Sequence, residues 1–453
     1  ITAAQEAVAA NMAKLQAADT ITASDTTANL QAALVALLAD TKVDNIDSTE
    51  NSVALTISAA QEAVAANMAK LQTADTITVS DTSANIQANL VALLADTKVD
   101  NIDSTENATA FNVTAAQAVV AANVAKLQAG DTITVSDTTA NIQTNLAALF
   151  AEAKVDNIDS TEDGTAINVT AAQAIVAANV AKLQTADTIT VSDTSANINS
   201  NLAALFAEAK VDNIDSTEDL VAINVTSAQA IVAANVAKLQ TLNTITVSDT
   251  TANIQTNLAS LFAEAKVDNI DSTENSVALT ITAAEEGVAA NMAKLQTTDT
   301  VTVSDTSANI QGSLAALLAD TKVDNIDSTQ NATAINVTAA QATVAANVAK
   351  LQATDTIAVV DTGANITAMT SVQLGEAKVD TYNASDDAVS FSVAQITAVT
   401  NAKLTAADVV TVADTGANLA ANVGGLGINL TGFSNLANTD RLEIGRASCR
   451  ERV

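Results

Sequence analysis

A hexapeptide that returns at a fixed interval is the strongest constraint on what this chain can fold into. The sequence KVDNID begins at Lys42 and recurs unchanged every 56 residues, at Lys98, Lys154, Lys210, Lys266 and Lys322. A second marker, Asp-Thr-x-Ala-Asn, begins at Asp25 and keeps the same spacing as far as Asp361. A fixed period of this length is typical of stacked repeats, in which each repeat contacts only its neighbours. We therefore predict one tandem array and not a string of separate globular domains.

The first half of a repeat predicts a strand followed by a helix. Residues 76–80 read TITVS, which alternates apolar and polar side chains as a half-buried strand does. Asp81 or Thr82 then stands where a helix N-cap is expected. Four apolar residues follow at helical spacing, namely Ile86, Leu90, Leu93 and Leu94. This helix should end near Lys98, whose charge suits the negative end of the helix dipole.

The second half of a repeat predicts one or two strands and a second helix. KVDNIDSTEN reads as a strand or extended loop, and the alternation around Phe111 and Val113 predicts a strand after it. Residues 114–117 read TAAQ, which matches a capping box at the start of a helix. Val120, Val124 and Leu127 are expected to form the apolar stripe of that helix.

The predicted fold class is α/β, a tandem-repeat solenoid of 56-residue units, each with two short helices and two to three short strands. Residues 1–355 form the regular array, with a partial first repeat. Residues 356–442 diverge and are expected to be a terminal repeat or a junction. The closing stretch 443–453, EIGRASCRERV, holds the only cysteine and resembles the translation of a sequencing adapter, so we expect it not to be native.

Charge and composition exclude several classes of function. The formal net charge of −32 disfavours nucleic acid and anionic membrane surfaces, because both require a cationic footprint. Membrane insertion is not expected, since no apolar run approaches the roughly 20 residues of a membrane span. Histidine is absent and Cys449 lies in the closing stretch, so the usual nucleophilic triads and zinc sites lack their components. We expect no enzymatic activity and no organic cofactor.

The acidic segment after KVDNID is the best candidate for a metal site. Calcium prefers six to eight oxygen ligands, which a loop rich in Asp, Asn and Glu can supply. The candidate ligands are Asp44, Asn45, Asp47 and Glu50 in one repeat and Asp100, Asn101, Asp103 and Glu106 in the next. The alternative is that these residues end strands and form turns, with their charges solvated. No EF-hand spacing is present, so both interpretations stay open.

Two further sets of residues have more than one interpretation. Threonines on the TITVS strands would form rows on a sheet, which suits glycan or ice recognition, although threonine is also an ordinary residue for a solvated strand face. One asparagine per repeat lies beside the stripe of the second helix, where stacked copies would form an amide ladder or occupy an exposed flank. These asparagines are Asn11, Asn67, Asn123, Asn179, Asn235, Asn291 and Asn347.

The alternation of ITVSDT-x-ANI with LTISAAQ or INVTAAQ resembles the helix-strand repeats of very large secreted bacterial surface proteins, which are adhesin-like and often carry hemolysin-type calcium-binding repeats. The resemblance covers residues 1 to about 442. It implies an extracellular or cell-surface setting, with an unknown surface ligand or neighbouring domains of the same chain as partners. The glycine-rich calcium nonapeptide of such proteins is missing here. The function that we predict is a structural or adhesive array, a stalk or spacer.

Overall fold

The computed structural model describes residues 1–16, 18–399, 403–415, 417, 418, 421 and 441–444. The chain divides into two compact units, one built from residues 1–221 and 237–243 and the other from 222–236 and from 244 onward. Within each compact unit the same arrangement of short parallel strands and helices repeats. The predicted α/β repeat solenoid is therefore confirmed.

Each repeat is a strand-helix-strand-helix-strand unit. The repeat that begins at Leu55 contains a first strand Leu55–Ile57, two short helices Ala59–Glu62 and Ala65–Lys70, a middle strand Ile77–Asp81, a long helix Ser83–Ala95 and a third strand Asn101–Ser104. The three strands are parallel and lie side by side in chain order. Helical crossovers join them, as parallel pairing requires.

The other copies follow the same plan. First strands are Phe111–Val113, Ile167–Val169, Ile223–Val225, Leu279–Ile281, Ile335–Val337 and Ala388–Phe391. Middle strands are Thr22–Asp25, Ile133–Asp137, Ile189–Asp193, Ile245–Asp249, Val301–Asp305, Ile357–Asp361 and Val409–Asp414. Third strands are Asn45–Ser48, Asn157–Ser160, Asn213–Ser216, Asn269–Ser272, Asn325–Ser328, Thr381–Ala384 and Arg441–Ile444.

The helices recur with the strands. Long helices are Thr27–Ala39, Thr139–Ala151, Ser195–Ala207, Thr251–Ala263 and Ser307–Ala319. Short helices come in pairs, namely Ala3–Glu6 with Ala9–Met12, Ala115–Ala118 with Ala121–Lys126, Ala171–Ala174 with Ala177–Lys182, Ser227–Ala230 with Ala233–Lys238, Ala283–Glu286 with Ala289–Lys294, and Ala339–Ala342 with Ala345–Lys350. Near the end the plan changes to Gly363–Thr367, Ser371–Leu374 and Val393–Val399. None of the helices in the described part of the chain is long and apolar enough to traverse a bilayer.

The core lies between one face of each sheet and the helices. Ile77 and Val79 of the middle strand are buried, while Thr78 between them faces outward. The four predicted stripe residues of the long helix are buried, which confirms the helical interpretation of that segment: Ile86, Leu90, Leu93 and Leu94. Thr82 is the N-cap, and its hydroxyl accepts from the Asn85 N–H at 3.3 Å.

The second helical segment is divided, and here the predicted apolar stripe is wrong in part. Val120 has an extended backbone, caps the second short helix and is 45% exposed. Leu127 is buried but lies after the helix, where it forms a parallel bridge to Ile102 of the preceding repeat. Asn123 donates its side-chain N–H across the break to the Gln117 carbonyl at 3.2 Å, and this carbonyl also accepts from the Val120 N–H at 3.3 Å. This asparagine therefore neither stacks with its copies in an amide ladder nor occupies an exposed flank of the helix, the two interpretations that the sequence left open.

One of the sequence changes after residue 355 has a local packing reason. Gly363 stands where the preceding repeats have serine or threonine at the start of the long helix. A Cβ added at Gly363 would lie only 1.6 Å from the carbonyl oxygen of Ala388, because the next strand approaches closely at this point. Of the stretch 443–453 that we expect not to be native, only residues 443 and 444 are described, in the strand Arg441–Ile444; the remainder lies outside the described residues.

The repeat plan predicts that whole repeats can be removed but half repeats cannot. Deleting residues 111–166 takes out one 56-residue period and joins equivalent positions. We expect this variant to keep its helical circular dichroism and its protease resistance, because every inter-strand contact finds an equivalent partner. Deleting about half a period from the same point, the matched control, should disrupt folding around the junction, since it changes strand register. Loss of helical structure throughout the chain in the whole-period variant would contradict the repeat plan.

Candidate functional site: the KVDNID segment

The first aspartate of KVDNID contacts backbone that lies 23 residues earlier in the chain. Asp44 accepts a hydrogen bond from the Ile21 N–H, and Asp100 accepts one from the Ile77 N–H, both at 2.8 Å. Ile77 is the first residue of a middle strand, so its N–H would otherwise lack a partner in the sheet. The same carboxylate function recurs in each regular repeat. This aspartate lies just before the third strand and holds the first N–H of the middle strand beside it.

The next two candidates, Asn101 and Asp103, face outward from the third strand and bond across the sheet. Asn101 donates to the Thr78 hydroxyl at 3.2 Å and accepts from the Gln128 amide of the following repeat at 2.9 Å. Asp103 accepts from the Ser80 hydroxyl at 3.0 Å. The equivalent residues Asn45 and Asp47 make the same contacts in the repeat before. A row of side-chain hydrogen bonds thus crosses the outer face of these two sheets.

The glutamate at the end of the segment supports the long helix. Glu50 accepts from the Thr27 N–H at 3.0 Å, and Glu106 accepts from the Ser83 N–H at 3.1 Å. Both donors are in the first turn of a long helix, where unpaired N–H groups and the helix dipole favour an anion. Gln330 occupies the same position in a later repeat, so the position does not require a charge.

The structure does not bring the eight predicted calcium ligands together into one cage. Within a repeat, the two aspartates, the asparagine and the glutamate each bond to a different part of the preceding segment, as the distances above show. Across the described ranges there is no group of three or more His, Cys, Asp or Glu side chains placed to hold a metal ion. Calcium binding at Asp44, Asn45, Asp47, Glu50 and their equivalents stays a prediction.

The lysine of KVDNID binds a different helix from the one expected. Lys98 was expected to complement the C-terminus of the long helix just before it, and that prediction is wrong. Its ammonium donates to the carbonyls of Met68 and Leu71, at 2.5 and 2.7 Å, at the end of the short helix of its own repeat. The compact charge of a lysine can serve several carbonyls at once, which suits a helix C-terminus.

A second lysine, which the sequence reasoning missed, caps the long helix. Lys126 ends a short helix and donates to the carbonyls of Leu93, Leu94 and Asp96 at 3.2, 2.8 and 2.6 Å. Burial lowers the pKa of Lys126, and the nearby carboxylate of Asp96 opposes that shift. The recurrence of NMAK and NVAK at the 56-residue period was the available signal. The alternating lysines of each repeat thus cap both kinds of helix end.

In most repeats a glutamine on the long helix closes the free edge of the next sheet, and sequence reasoning missed it too. The side-chain amide of Gln31 donates to the Thr56 carbonyl at 2.8 Å and accepts from the Thr56 N–H at 2.7 Å. It thereby occupies the two backbone groups that a further strand would use. The same pair of bonds is made by Gln143 and Gln255 to the first strands of the following repeats.

Asp81 combines two capping roles. One carboxylate oxygen accepts from the Thr82 N–H and the Asn85 side chain, and the other accepts from the Ala59 N–H at the start of a short helix. The hydrogen bond from Asn85, aided by the backbone donors, lowers the pKa of Asp81. The predicted helix cap is therefore present, and it also joins a middle strand to the helix that precedes it.

The outward threonines do not form an uninterrupted row of like residues. In the sheet that contains Thr78, its neighbours in register are Thr56 on one side and Asn101 on the other. The Thr78 hydroxyl already accepts a hydrogen bond from Asn101. Threonines of successive middle strands belong to different three-stranded sheets. Recognition of a glycan or of ice by this face stays a prediction.

Comparison with known proteins adds no functional information. No protein-family model matches the chain, and neither a curated protein nor a solved structure is significantly similar to it. The functional conclusion therefore rests on the contacts described above.

The lysine contacts predict a site-specific loss of stability. Replacing Lys126 with methionine keeps most of the side-chain volume but leaves three carbonyls without their donor. We expect the free energy of unfolding to fall by about 1–3 kcal/mol, the usual range for buried hydrogen bonds to a charged group. The measurement is denaturant unfolding followed by circular dichroism. Lys14→Met is the matched control, because Lys14 is the exposed copy of the same position; an equal loss in both variants would contradict the proposed role.

Proposed function

We propose that this chain is part of a non-enzymatic structural array, a stalk or spacer within a large extracellular or cell-surface protein. The observation that carries the proposal is the use of the recurring polar residues. Lys98 and Asp100 of KVDNID and Glu106 just after it bond to backbone atoms of the segment before them, and none of these bonds depends on an outside ligand. These polar side chains recur once per repeat and are already hydrogen-bonded within the array. This favours a mechanical role over recognition of a ligand.

The modular contacts support extension by repetition. Each regular repeat offers the following one a third strand and a long-helix C-terminus, and in most repeats a long-helix glutamine that bonds to the edge of the following sheet. Adding a repeat therefore adds reach without requiring a new kind of contact. The acidic surface suits such an array, because like charges on neighbouring chains oppose aggregation.

Neighbouring domains of the same long chain are the partners that this role implies. An adhesive role, in which the array itself contacts a surface ligand, is the variant that the sequence resemblance suggests. Nucleic acid is an unfavourable partner for the stalk and for the adhesive variant alike, since the net charge is −32.

A mechanical experiment tests the spacer role. Pulling the full chain from its two ends should give unfolding events whose contour-length increments are multiples of about 200 Å, because 56 residues extend at most ~3.6 Å each. Such steps follow from repeats that contact only their neighbours. One rupture that releases the entire chain would mean that the array does not yield repeat by repeat, and the proposal would then lose its basis.

A calcium titration separates the spacer from a calcium-dependent binding module. We expect the full chain to give no binding heat and no shift of melting temperature at millimolar calcium, since the carboxylates already accept protein hydrogen bonds. Glu106→Gln supplies the comparison, as it mimics Gln330 and removes one candidate ligand. Saturable heat that is reduced in this variant would favour the calcium module instead.

A further inference from the structure

A buried position that most repeats fill with an aspartate is not used by the contacts described so far. It lies two residues before the middle strand, between one repeat and the third strand of the repeat before it. The aspartates at this position are at most 5% exposed, namely Asp75, Asp131, Asp187, Asp299 and Asp355. A charged group with so little access to water is costly unless it is paired or protonated.

The hydrogen bonding of this carboxyl is incomplete. Asp75 accepts from the Ser48 N–H at 3.1 Å through one oxygen, and its other oxygen is buried without a partner. Asp355 has the same arrangement with the Ser328 N–H. In the remaining copies, such as Asp187, the single Ser160 N–H is shared between both oxygens. One donor therefore serves a group that can accept several.

The array contains its own natural comparison, because one copy of this position is an asparagine. Asn243 is 4% exposed, and its side-chain oxygen accepts from the Ser216 N–H at 3.0 Å, as the aspartates do. Its amide also donates to the carbonyl of Ile214 at 3.1 Å. A hydrogen-bond donor at the position of the Asn243 amide nitrogen therefore has an acceptor in the Ile214 carbonyl. A protonated aspartic acid offers a donor at the same place, whereas an aspartate offers a second acceptor.

The charges near this position also disfavour ionisation. Asp159 and Asp163 face Asp187, Asp47 faces Asp75, and Asp271 faces Asp299. Burial, followed by these like charges, raises the pKa of Asp187 to about 6, while the Ser160 N–H partly opposes the shift. The same causes raise the pKa of Asp75, Asp131, Asp299 and Asp355.

We propose that these aspartic acids act as proton-dependent fasteners between consecutive repeats. In the protonated form the carboxyl accepts from the serine N–H and donates to the carbonyl that corresponds to that of Ile214. In the ionised form this second bond is lost, and a negative charge remains buried opposite a carbonyl oxygen and a neighbouring carboxylate. The coupling between repeats is thus strongest under mildly acidic conditions and weakens as the pH rises.

The direction follows from the sign of the shift. A carboxyl whose pKa is higher in the folded than in the unfolded chain contributes its full stability below the unfolded value of 3.8, and loses it as the pH rises through about 6. The capping aspartates such as Asp81 act in the opposite sense, because their pKa is lowered and their contribution is lost as the pH falls. The two sets together place the greatest stability of the array on the acidic side of neutrality.

A reciprocal pair of substitutions in the full chain tests the proposal. Melting temperatures are measured by circular dichroism at about pH 4.5 and about pH 7.5, on either side of the raised pKa of Asp187. Asp187→Asn should raise the melting temperature at the higher pH by roughly 2–4 °C and leave it unchanged at the lower pH. Asn243→Asp should lower the melting temperature at the higher pH, and at the lower pH its melting temperature should return to that of the parent chain.

Two further measurements keep the outcome decisive. Asp19→Asn is the matched control, because Asp19 is the exposed copy of the same position and its substitution changes the charge equally. Hydrogen exchange of residues 157–160 reports the strand that contributes the Ser160 N–H, and Asp187→Asn should slow it relative to the parent chain at the higher pH only. Effects that are the same at both pH values, or that Asp19→Asn reproduces, would overturn the proposal.

Discussion

The structure depends on hydrogen bonds that run from the side chains of one strand-helix step to the backbone of the step before it. The aspartate of KVDNID holds the first N–H of the middle strand, the following glutamate holds the first turn of the long helix, and two lysines hold the carbonyls at the helix ends. Without these partners, short strands and one-turn helices would leave many buried backbone groups unsatisfied. Burial of an apolar core of Val, Ile, Leu and Ala stabilises the fold, and the polar contacts set the register of its strands and helices.

This dependence explains why the most regular sequence in the chain is acidic. A segment such as KVDNIDSTEN contains the residue types that bind calcium, and its repetition draws attention to it as a site. The same residue types are also the ones that accept hydrogen bonds from backbone N–H groups. In Asp100 and Glu106 the carboxylate oxygens point at two such groups in different elements. Their separation, which is a tertiary property, is not written in the spacing of the residues.

Sequence periodicity predicted much of the fold, and the rest required knowledge of which segments are neighbours. The strand Ile77–Asp81 and the helix Ser83–Ala95 followed from local patterns and from the N-cap Thr82. The break at Val120 did not, because the spacing of Val120, Val124 and Leu127 fits a continuous helix as well as it fits two short ones. The predicted partner of Lys98 was wrong for a related reason, since the helix end that is nearest in sequence is not the one that Lys98 contacts. The buried aspartates were missed because nothing local separates Asp75 from the exposed acidic residues around it.

The glutamine that closes the sheet edge in most repeats has a consequence for how a chain of near-identical segments folds correctly. Neighbouring repeats with almost the same sequence can exchange strands with one another or with a second chain, and an open parallel edge is where such an exchange begins. The amide of Gln31 occupies both backbone groups of Thr56 at that edge. The edge of a folded repeat therefore cannot pair with a strand from another copy. This allows a long acidic array of one duplicated module to fold without strand exchange between its repeats.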